Sequence, residues 1–135
     1  MAKFVDLIKT FDDFCAGKGV DEATIEAAEE KLGLKFADDY KEYISECGVA
    51  SADGHEFTGI VDSKRLNVVD VTEAMRAKNP NASGELYVVE DLQTDKVVIW
   101  QSGDGRVYKT VYDDSAEVIA DSLYDYFEKS ADTEE

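Results

Sequence analysis

Hydrophobic residues recur every three or four positions through the first third of the chain, which is the spacing of an amphipathic helix. The first such run predicts an N-terminal helix within residues 1–19, ended by Gly17 and Gly19 because glycine readily leaves the helical conformation. We expect the apolar face of this helix to pack on a core. Its inward-facing positions are Phe4, Leu7, Ile8, Phe11, Phe14 and Cys15.

Two further helices follow, each with recognisable ends. Asp21 is the predicted N-cap of the second helix, and Gly33 is its predicted C-terminal stop. The third helix is predicted from about Asp38 to Gly48, and the carboxylates of Asp38 and Asp39 suit the positive end of its dipole. Its apolar positions are Tyr40, Tyr43, Ile44 and Cys47.

Beyond residue 50 the hydrophobic pattern changes to an alternation typical of β-strands. Turn-forming residues at 93–95 and 103–105 predict that the last three strands form hairpins, and residues 72–78 favour a short helix. The predicted strands are residues 55–61, 66–71, 85–91, 97–101 and 106–112.

A final helix is predicted to begin at Asp114, with Glu117 completing a capping box. Its apolar face includes Val118 and Phe127, and residues 130–135 are expected to fray. Helices, then strands, then a closing helix predict an α+β fold. We expect one domain over residues 1–135, with N-terminal helices and a mostly antiparallel sheet of about five to six strands, against which the C-terminal helix packs.

Charge changes this picture most, because 31 acidic residues against 14 basic ones give a net charge of −17. Residues 21–46 carry 9 acids and 3 bases, and residues 111–135 carry 9 acids and 1 base. Such a chain is a poor ligand for nucleic-acid phosphates or anionic membranes, whereas a basic protein partner is favoured. The alternative is that the acidity serves solubility alone.

On the predicted final helix, acidic residues spaced four, four and three apart form one stripe opposite the apolar face. We predict that this stripe and two acids at its N-terminal end bind the partner, with Trp100 as an aromatic anchor and Tyr108 or Tyr112 as others. The alternatives are a solvated helix face and aromatic side chains buried in the core. The predicted acidic contacts are Asp113, Asp114, Glu117, Asp121, Asp125 and Glu128.

Catalytic chemistry finds little support in the sequence. His55 is the single histidine, and neither a zinc-ligand spacing nor a glycine-rich phosphate loop is present. We therefore predict no catalytic residue, no metal site and no cofactor, and the chain is not expected to be an enzyme. A competing interpretation places a small-molecule site at His55, Asp53 and Glu56, although a single loop histidine is typically only a surface residue.

The two cysteines, Cys15 and Cys47, both fall at apolar helical positions and are predicted to be buried free thiols in a reducing compartment. The N-terminal residues lack the apolar run of a signal peptide, and no apolar stretch approaches the length of a membrane span. The sequence therefore predicts a cytoplasmic protein.

Several of these motifs together resemble the SUKH superfamily over about residues 20–128. Residues 25–34 carry a helix with an inward-leaning glutamate and a Leu-Gly break, and residues 36–44 resemble the family's next helix start, although Phe36-Ala37 replaces its usual Leu-Pro. Cys47-Gly48 stands where the family commonly has Asn-Gly. Strand motifs follow in the family's order at residues 59–60, 86–89, 98–100 and 105–108.

The resemblance implies an α+β fold with a mostly antiparallel sheet partly wrapped by helices. It also implies a binding function, since bacterial members are mostly regarded as immunity proteins that neutralise a cognate toxin, often a nuclease. We therefore expect an immunity protein whose partner is a basic toxin domain. The alternative is an intracellular regulatory or scaffold module, as in the related fungal cell-wall regulators.

Overall fold

The computed structural model describes residues 4–79, 84–91, 97–111 and 116–133. Three helices and one short strand make up its N-terminal part, and both α2 and α3 lie where the sequence predicts them. Asp21 accepts a hydrogen bond from the amide of Thr24, and Gly33 ends α2 in the left-handed conformation. These elements are α1 (Phe4–Ile8), β1 (Cys15–Ala16), α2 (Glu22–Leu32) and α3 (Asp38–Cys47).

The remaining elements are mostly strands, and they form two antiparallel sheets. Sheet order is β1-β2-β3 in the first and β4-β5-β6-β7 in the second. The α+β class is confirmed, but the strands expected in one sheet are divided between two. These elements are β2 (Ala50–Ala52), β3 (His55–Glu56), α4 (Val68–Lys78), β4 (Tyr87–Asp91), β5 (Val97–Gln101), β6 (Val107–Val111), β7 (Glu117–Ala120) and α5 (Leu123–Thr133).

The first helix is much shorter than the predicted helix within residues 1–19. It ends at Ile8, and turns follow, so Phe11 and Phe14 reach the core from irregular backbone. Cys15 lies in β1 and is exposed, whereas Cys47 is buried, and both thiols are free. The prediction of two buried cysteines is therefore wrong for Cys15, because the helical spacing that placed it inward ends seven residues earlier.

The segment predicted as a strand over residues 66–71 instead begins α4. The side chain of Asn67 accepts hydrogen bonds from the amides of Val69 (3.0 Å) and Asp70 (3.4 Å), which starts the helix. Val68, Val71 and Thr72 are buried at the spacing of one helix face. A short apolar run fits a strand or a helix, and here the cap decides between them.

The final helix also begins later than predicted. Residues 117–120 pair with β6 as strand β7, and α5 begins at Leu123, whose amide donates to Asp39 Oδ2 at 3.0 Å. The amide of Asp125 donates to the hydroxyl of Ser122 at 3.1 Å, so Ser122 replaces the predicted cap Asp114, which lies outside the described residues. Helical backbone continues to Thr133, within the segment 130–135 for which fraying is predicted.

The four-stranded sheet lies between two apolar clusters. One side of the sheet faces the larger cluster and packs against α1, α2, α3 and α5. In this cluster the ring of Phe127 from α5 lies 5.7 Å from the ring of Phe57, measured between centroids. Its other side is covered by α4 and contains Trp100 and Val88. Because both sides of β4 and β5 are covered, nearly every side chain in these strands is buried.

Close backbone packing requires glycine where α3 ends. A Cβ on Gly59 would lie 1.9 Å from the carbonyl oxygen of Gly48, a contact that real Cβ atoms do not make. Gly48 itself has φ 70°, which favours glycine. The Cys47-Gly48 and Gly59-Ile60 motifs therefore fix the position of the chain beside α3.

One exposed carboxylate holds the turn between β2 and β3. Asp13 accepts hydrogen bonds from the amides of Asp53 (2.7 Å) and Gly54 (3.1 Å), where both residues have positive φ. The amide of Asp53 contributes most to lowering the pKa of the Asp13 carboxyl below its ordinary value. A group whose pKa is lowered on folding stabilises the fold above its unfolded pKa, and that contribution is lost as the pH falls through its folded pKa.

We therefore expect Asp13→Ala to lower the melting temperature at neutral pH, with a deficit that shrinks as the pH falls through the lowered pKa of the folded-state carboxyl. Thermal unfolding followed by circular dichroism across this range measures the deficit. Asp12→Ala, which removes a carboxylate at the exposed neighbouring position, is the control and should change the melting temperature at neutral pH less than Asp13→Ala does. A deficit that is constant with pH would show that the carboxylate charge plays no part.

Candidate partner-binding surface

The acidic residues predicted to form one helical stripe lie in three consecutive elements instead. Glu117 is in β7, Asp121 is in the turn that follows, and Asp125 and Glu128 are in α5. The continuous helical stripe is therefore wrong, since residues 117–120 are extended and only Asp125 and Glu128 share a helix. Glu117, Asp121 and Glu128 are exposed, whereas Asp125 is half-buried. We call these four residues the C-terminal acidic surface.

Three other predicted contacts, Tyr112, Asp113 and Asp114, lie outside the described residues. Trp100 is described, and its side chain is wholly buried. The indole Nε1 donates to Thr110 Oγ1 at 2.9 Å, and the ring packs in the cluster beneath α4. Trp100 is therefore a core residue rather than a surface anchor, because α4 covers the side of β5 that the sequence pattern left open.

One exposed apolar side chain does lie beside the C-terminal acidic surface. Val118 is 50% exposed. Among the residues that the structure describes, it is the one large hydrophobic residue whose side chain is exposed. Its cross-strand partner in β6 is Tyr108, which is half-buried. Tyr108 in turn pairs with Trp100 of β5, the strand on the other side of β6. The sequence placed Val118 on the buried face of a helix, so its exposure could not be recognised from spacing.

A second acidic feature, absent from the predicted contacts, follows the outer face of α2. Glu22, Glu26 and Glu30 are all exposed and stand four residues apart, and we call them the α2 acidic row. Neighbouring like charges at this spacing destabilise a helix by about 0.2–0.5 kcal/mol per pair. The signal was present in the sequence as carboxylates at i, i+4 and i+8. No large apolar side chain of the described residues is exposed beside this row.

His55 lies in the interior, so the interpretation of it as a surface residue is wrong. Its Nδ1 lies 2.8 Å and 3.0 Å from the two carboxylate oxygens of Glu90, and the hydroxyl of Tyr126 donates to Glu90 Oε1 at 2.6 Å. All three side chains are buried. Burial first, and then the carboxylate of Glu90, raises the pKa of the Tyr126 hydroxyl, which stays protonated as a donor.

The side chain of Glu56 and the backbone of Asp53 have partners other than His55. The carboxylate of Glu56 forms a bidentate ion pair with the guanidinium of Arg65, with N–O distances of 3.0 Å and 3.1 Å. The backbone amide of Asp53 donates to the carboxylate of Asp13. The predicted small-molecule constellation of His55, Asp53 and Glu56 is therefore not assembled. The histidine instead joins β3 to β4 and α5 through Glu90.

A second buried glutamate, Glu29 of α2, holds the loop that leads into α3. Its Oε2 accepts a hydrogen bond from the amide of Phe36 at 2.8 Å, while the ammonium groups of Lys35 and Lys41 each lie 3.9 Å from one of its oxygens. This is the inward-leaning glutamate of the sequence motif, and its role is structural.

We expect Glu29→Ala to lower the free energy of unfolding by about 1–3 kcal/mol, because the buried amide of Phe36 loses its acceptor. Urea unfolding measures the change. Glu30→Ala removes the adjacent exposed carboxylate and should change stability by less than about 0.5 kcal/mol. Equal effects of the two substitutions would contradict a specific role for Glu29.

Other kinds of site find no support in the described part of the chain. It contains no cluster of three or more histidine, cysteine, aspartate or glutamate side chains that could hold a metal ion. Its helices include none long and apolar enough to span a membrane. A shallow cleft of about 160 Å³ is lined by residues of α2 and by Ile60, Asn67, Val69 and Asp70. That volume is below the range of roughly 300–1,000 Å³ typical of small-molecule sites.

A protein-family model matches most of the chain. The family model SUKH_5, described as SMI1-KNR4 cell-wall, matches residues 1–131. No curated protein matches the chain. The match extends beyond residues 20–128, where the sequence motifs lie, and includes both α1 and most of α5.

Proposed function

We propose, because this chain belongs to the SUKH family, that it is an immunity protein that binds a cognate toxin and blocks its cationic surface. In this proposal the chain acts by binding alone in the cytoplasm, without catalysis or a cofactor. The observation that carries the proposal is the C-terminal acidic surface, where exposed carboxylates and an exposed valine occur within one short segment.

Charge supports a basic partner. A nuclease presents lysine and arginine side chains to the phosphates of its substrate, so an acidic protein can occupy the same surface. With a net charge of −17, the chain also attracts a cationic domain over long range and accelerates encounter at low salt. A cognate basic nuclease domain is accordingly the proposed toxin.

Local chemistry favours the C-terminal acidic surface over the α2 acidic row as the contact. Protein interfaces combine an apolar centre with a polar rim, and charge pairs alone contribute little to affinity when they are exposed. Val118 supplies an exposed apolar side chain in the same strand as Glu117, although strand alternation places the two side chains on opposite faces of the sheet. The α2 acidic row offers carboxylates only. The α2 acidic row then adds to the long-range field without touching the partner.

We expect the triple variant Glu117→Lys, Asp121→Lys and Glu128→Lys to bind the toxin domain at least about tenfold more weakly at low salt, since each reversal replaces an attraction by a repulsion. Asp125 is left unchanged because it is half-buried. Binding to a toxin domain encoded by an adjacent gene, measured by calorimetry at several salt concentrations, tests this. The salt dependence of the affinity should become weaker as well.

The matched control is Glu22→Lys, Glu26→Lys and Glu30→Lys, which changes the net charge by the same amount on α2. We expect its affinity to stay within about threefold of the unaltered chain. If both triple variants weaken binding equally, only total charge matters and the proposed contact is wrong. If the unaltered chain does not bind the toxin domain, the immunity function itself is refuted.

A second function is favoured by the family description, which refers to the cell wall. Under it, the chain is a regulatory or scaffold module whose acidic surface binds a basic segment of an intracellular protein. An adjacent toxin gene would favour immunity, and its absence beside a regulatory gene would favour this alternative.

A further inference from the structure

Strand β7 forms one end of the four-stranded sheet. The order β4-β5-β6-β7 gives β7 a single strand neighbour among the described residues. The outer amide and carbonyl groups of an edge strand remain available to pair with another extended chain. This edge is therefore a ready acceptor of a further strand.

Strand β7 lacks two common protections of such an edge, although it has only four residues and its pairing with β6 contains a register shift between Val107 and Tyr108. Natural edges are commonly blunted by lysine or proline, and β7, with the sequence Glu-Val-Ile-Ala, contains neither. Instead Val118 is 50% exposed, and the exposed acidic residues Glu117 and Asp121 precede and follow it in the sequence. The edge thus joins apolar surface to negative charge.

Charge selects what this edge can pair with. A second copy of the chain would bring a further net charge of −17 and the same two carboxylates to the edge. Electrostatic repulsion therefore opposes pairing between two copies. A segment that carries lysine or arginine meets the opposite sign. Ordinary strand alternation would then place cationic side chains beside Glu117 and an apolar side chain beside Val118.

We propose that β7 binds its partner by strand addition, accepting an extended segment of alternating cationic and apolar residues as a fifth strand. This inference rests on the proposed function for the basic nature of the partner. Main-chain hydrogen bonds supply affinity in such a complex, and the alternate side chains supply specificity. Val118, packed beside Tyr108, forms the apolar contact at the centre of the added strand.

The first test uses a blocked peptide of alternating lysine and valine as the probe, titrated into the ¹⁵N-labelled chain and followed by NMR. We expect the largest amide shifts in residues 117–120. The control peptide has the same charges but carries N-methyl groups on alternate amides, which removes the donors on one of its edges. It should bind at least about tenfold more weakly.

Several outcomes would overturn strand addition. Equal binding by the two peptides would show attraction by charge alone, and shifts centred on residues 22–30 would place the contact on α2. A concentration-dependent dimer in light scattering, with β7 protected from hydrogen exchange, would show that a second copy occupies the edge instead.

The second test separates this inference from the proposed function. Hydrogen exchange is measured on the full chain with and without the neighbouring toxin domain. Binding without added protection at residues 117–120 would refute strand addition and leave the immunity function intact. Specific pairing with the lysine-valine peptide, together with no binding of the toxin domain, would confirm the edge and refute that function.

Discussion

Replacing Glu90 with alanine should lower the free energy of unfolding by about 3–5 kcal/mol, the loss expected when one member of a buried pair is removed. The carboxylate of Glu90 is bound to Nδ1 of His55 and accepts the hydroxyl proton of Tyr126. These contacts join β4 to β3 and to α5, so the substitution weakens the packing of the C-terminal helix on the core. Urea unfolding at neutral pH measures the change.

Two further variants make this prediction specific. Glu90→Gln keeps an oxygen acceptor and should lose less stability than Glu90→Ala. Glu73→Ala removes an exposed carboxylate from α4 and should change stability by less than about 0.5 kcal/mol. A loss below about 1 kcal/mol for Glu90→Ala would show that the buried cluster contributes little to the fold.

The parts of the fold that the sequence predicts are those determined by neighbouring residues. Asp21 and Gly33 bound α2 through hydrogen bonds to residues within one turn. Strand β5 has the predicted bounds of residues 97–101. In each case the cap or the alternation is local, so a reading of adjacent positions is sufficient.

The errors occur where distant residues decide. The hydrophobic spacing of residues 117–123 fits a helix, but residues 117–120 form a strand because they pair with β6. The spacing of neighbouring residues gives no information about that pairing. The burial of His55 depends on Glu90, which is 35 positions away in sequence. Trp100 is covered by α4, an element of which the sequence predicted only residues 72–78 as helix.

For the candidate site, the sequence located the charge but not its arrangement. The exposed carboxylates Glu117, Asp121 and Glu128 were all named from spacing. Because that spacing predicts a helix, the sequence indicates neither the exposed Val118 nor the position of β7 at one end of the described sheet. The regular α2 acidic row was visible in the sequence, yet no local signal distinguishes a solvated row from a contact surface.

Replacing Trp100 with alanine should lower the free energy of unfolding by about 3–5 kcal/mol, as large-to-small substitutions in a core do. The indole is wholly buried beside Val88 and Val98, and its Nε1 is bound to Thr110. Trp100→Phe retains most of the ring volume and should cost less than the alanine variant. Chemical unfolding followed by far-ultraviolet circular dichroism measures both losses without relying on the fluorescence of the removed indole.

Binding then distinguishes a core residue from a surface anchor. Because Trp100 touches no solvent, folded Trp100→Phe should bind the lysine-valine peptide within about threefold of the unaltered chain. Val118→Ala should show the opposite pattern, with a stability change below about 1 kcal/mol and clearly weaker binding, since its side chain is half exposed. If Trp100→Phe lost binding while keeping its stability, the tryptophan would be an anchor after all, and the contact would lie under α4 rather than along β7.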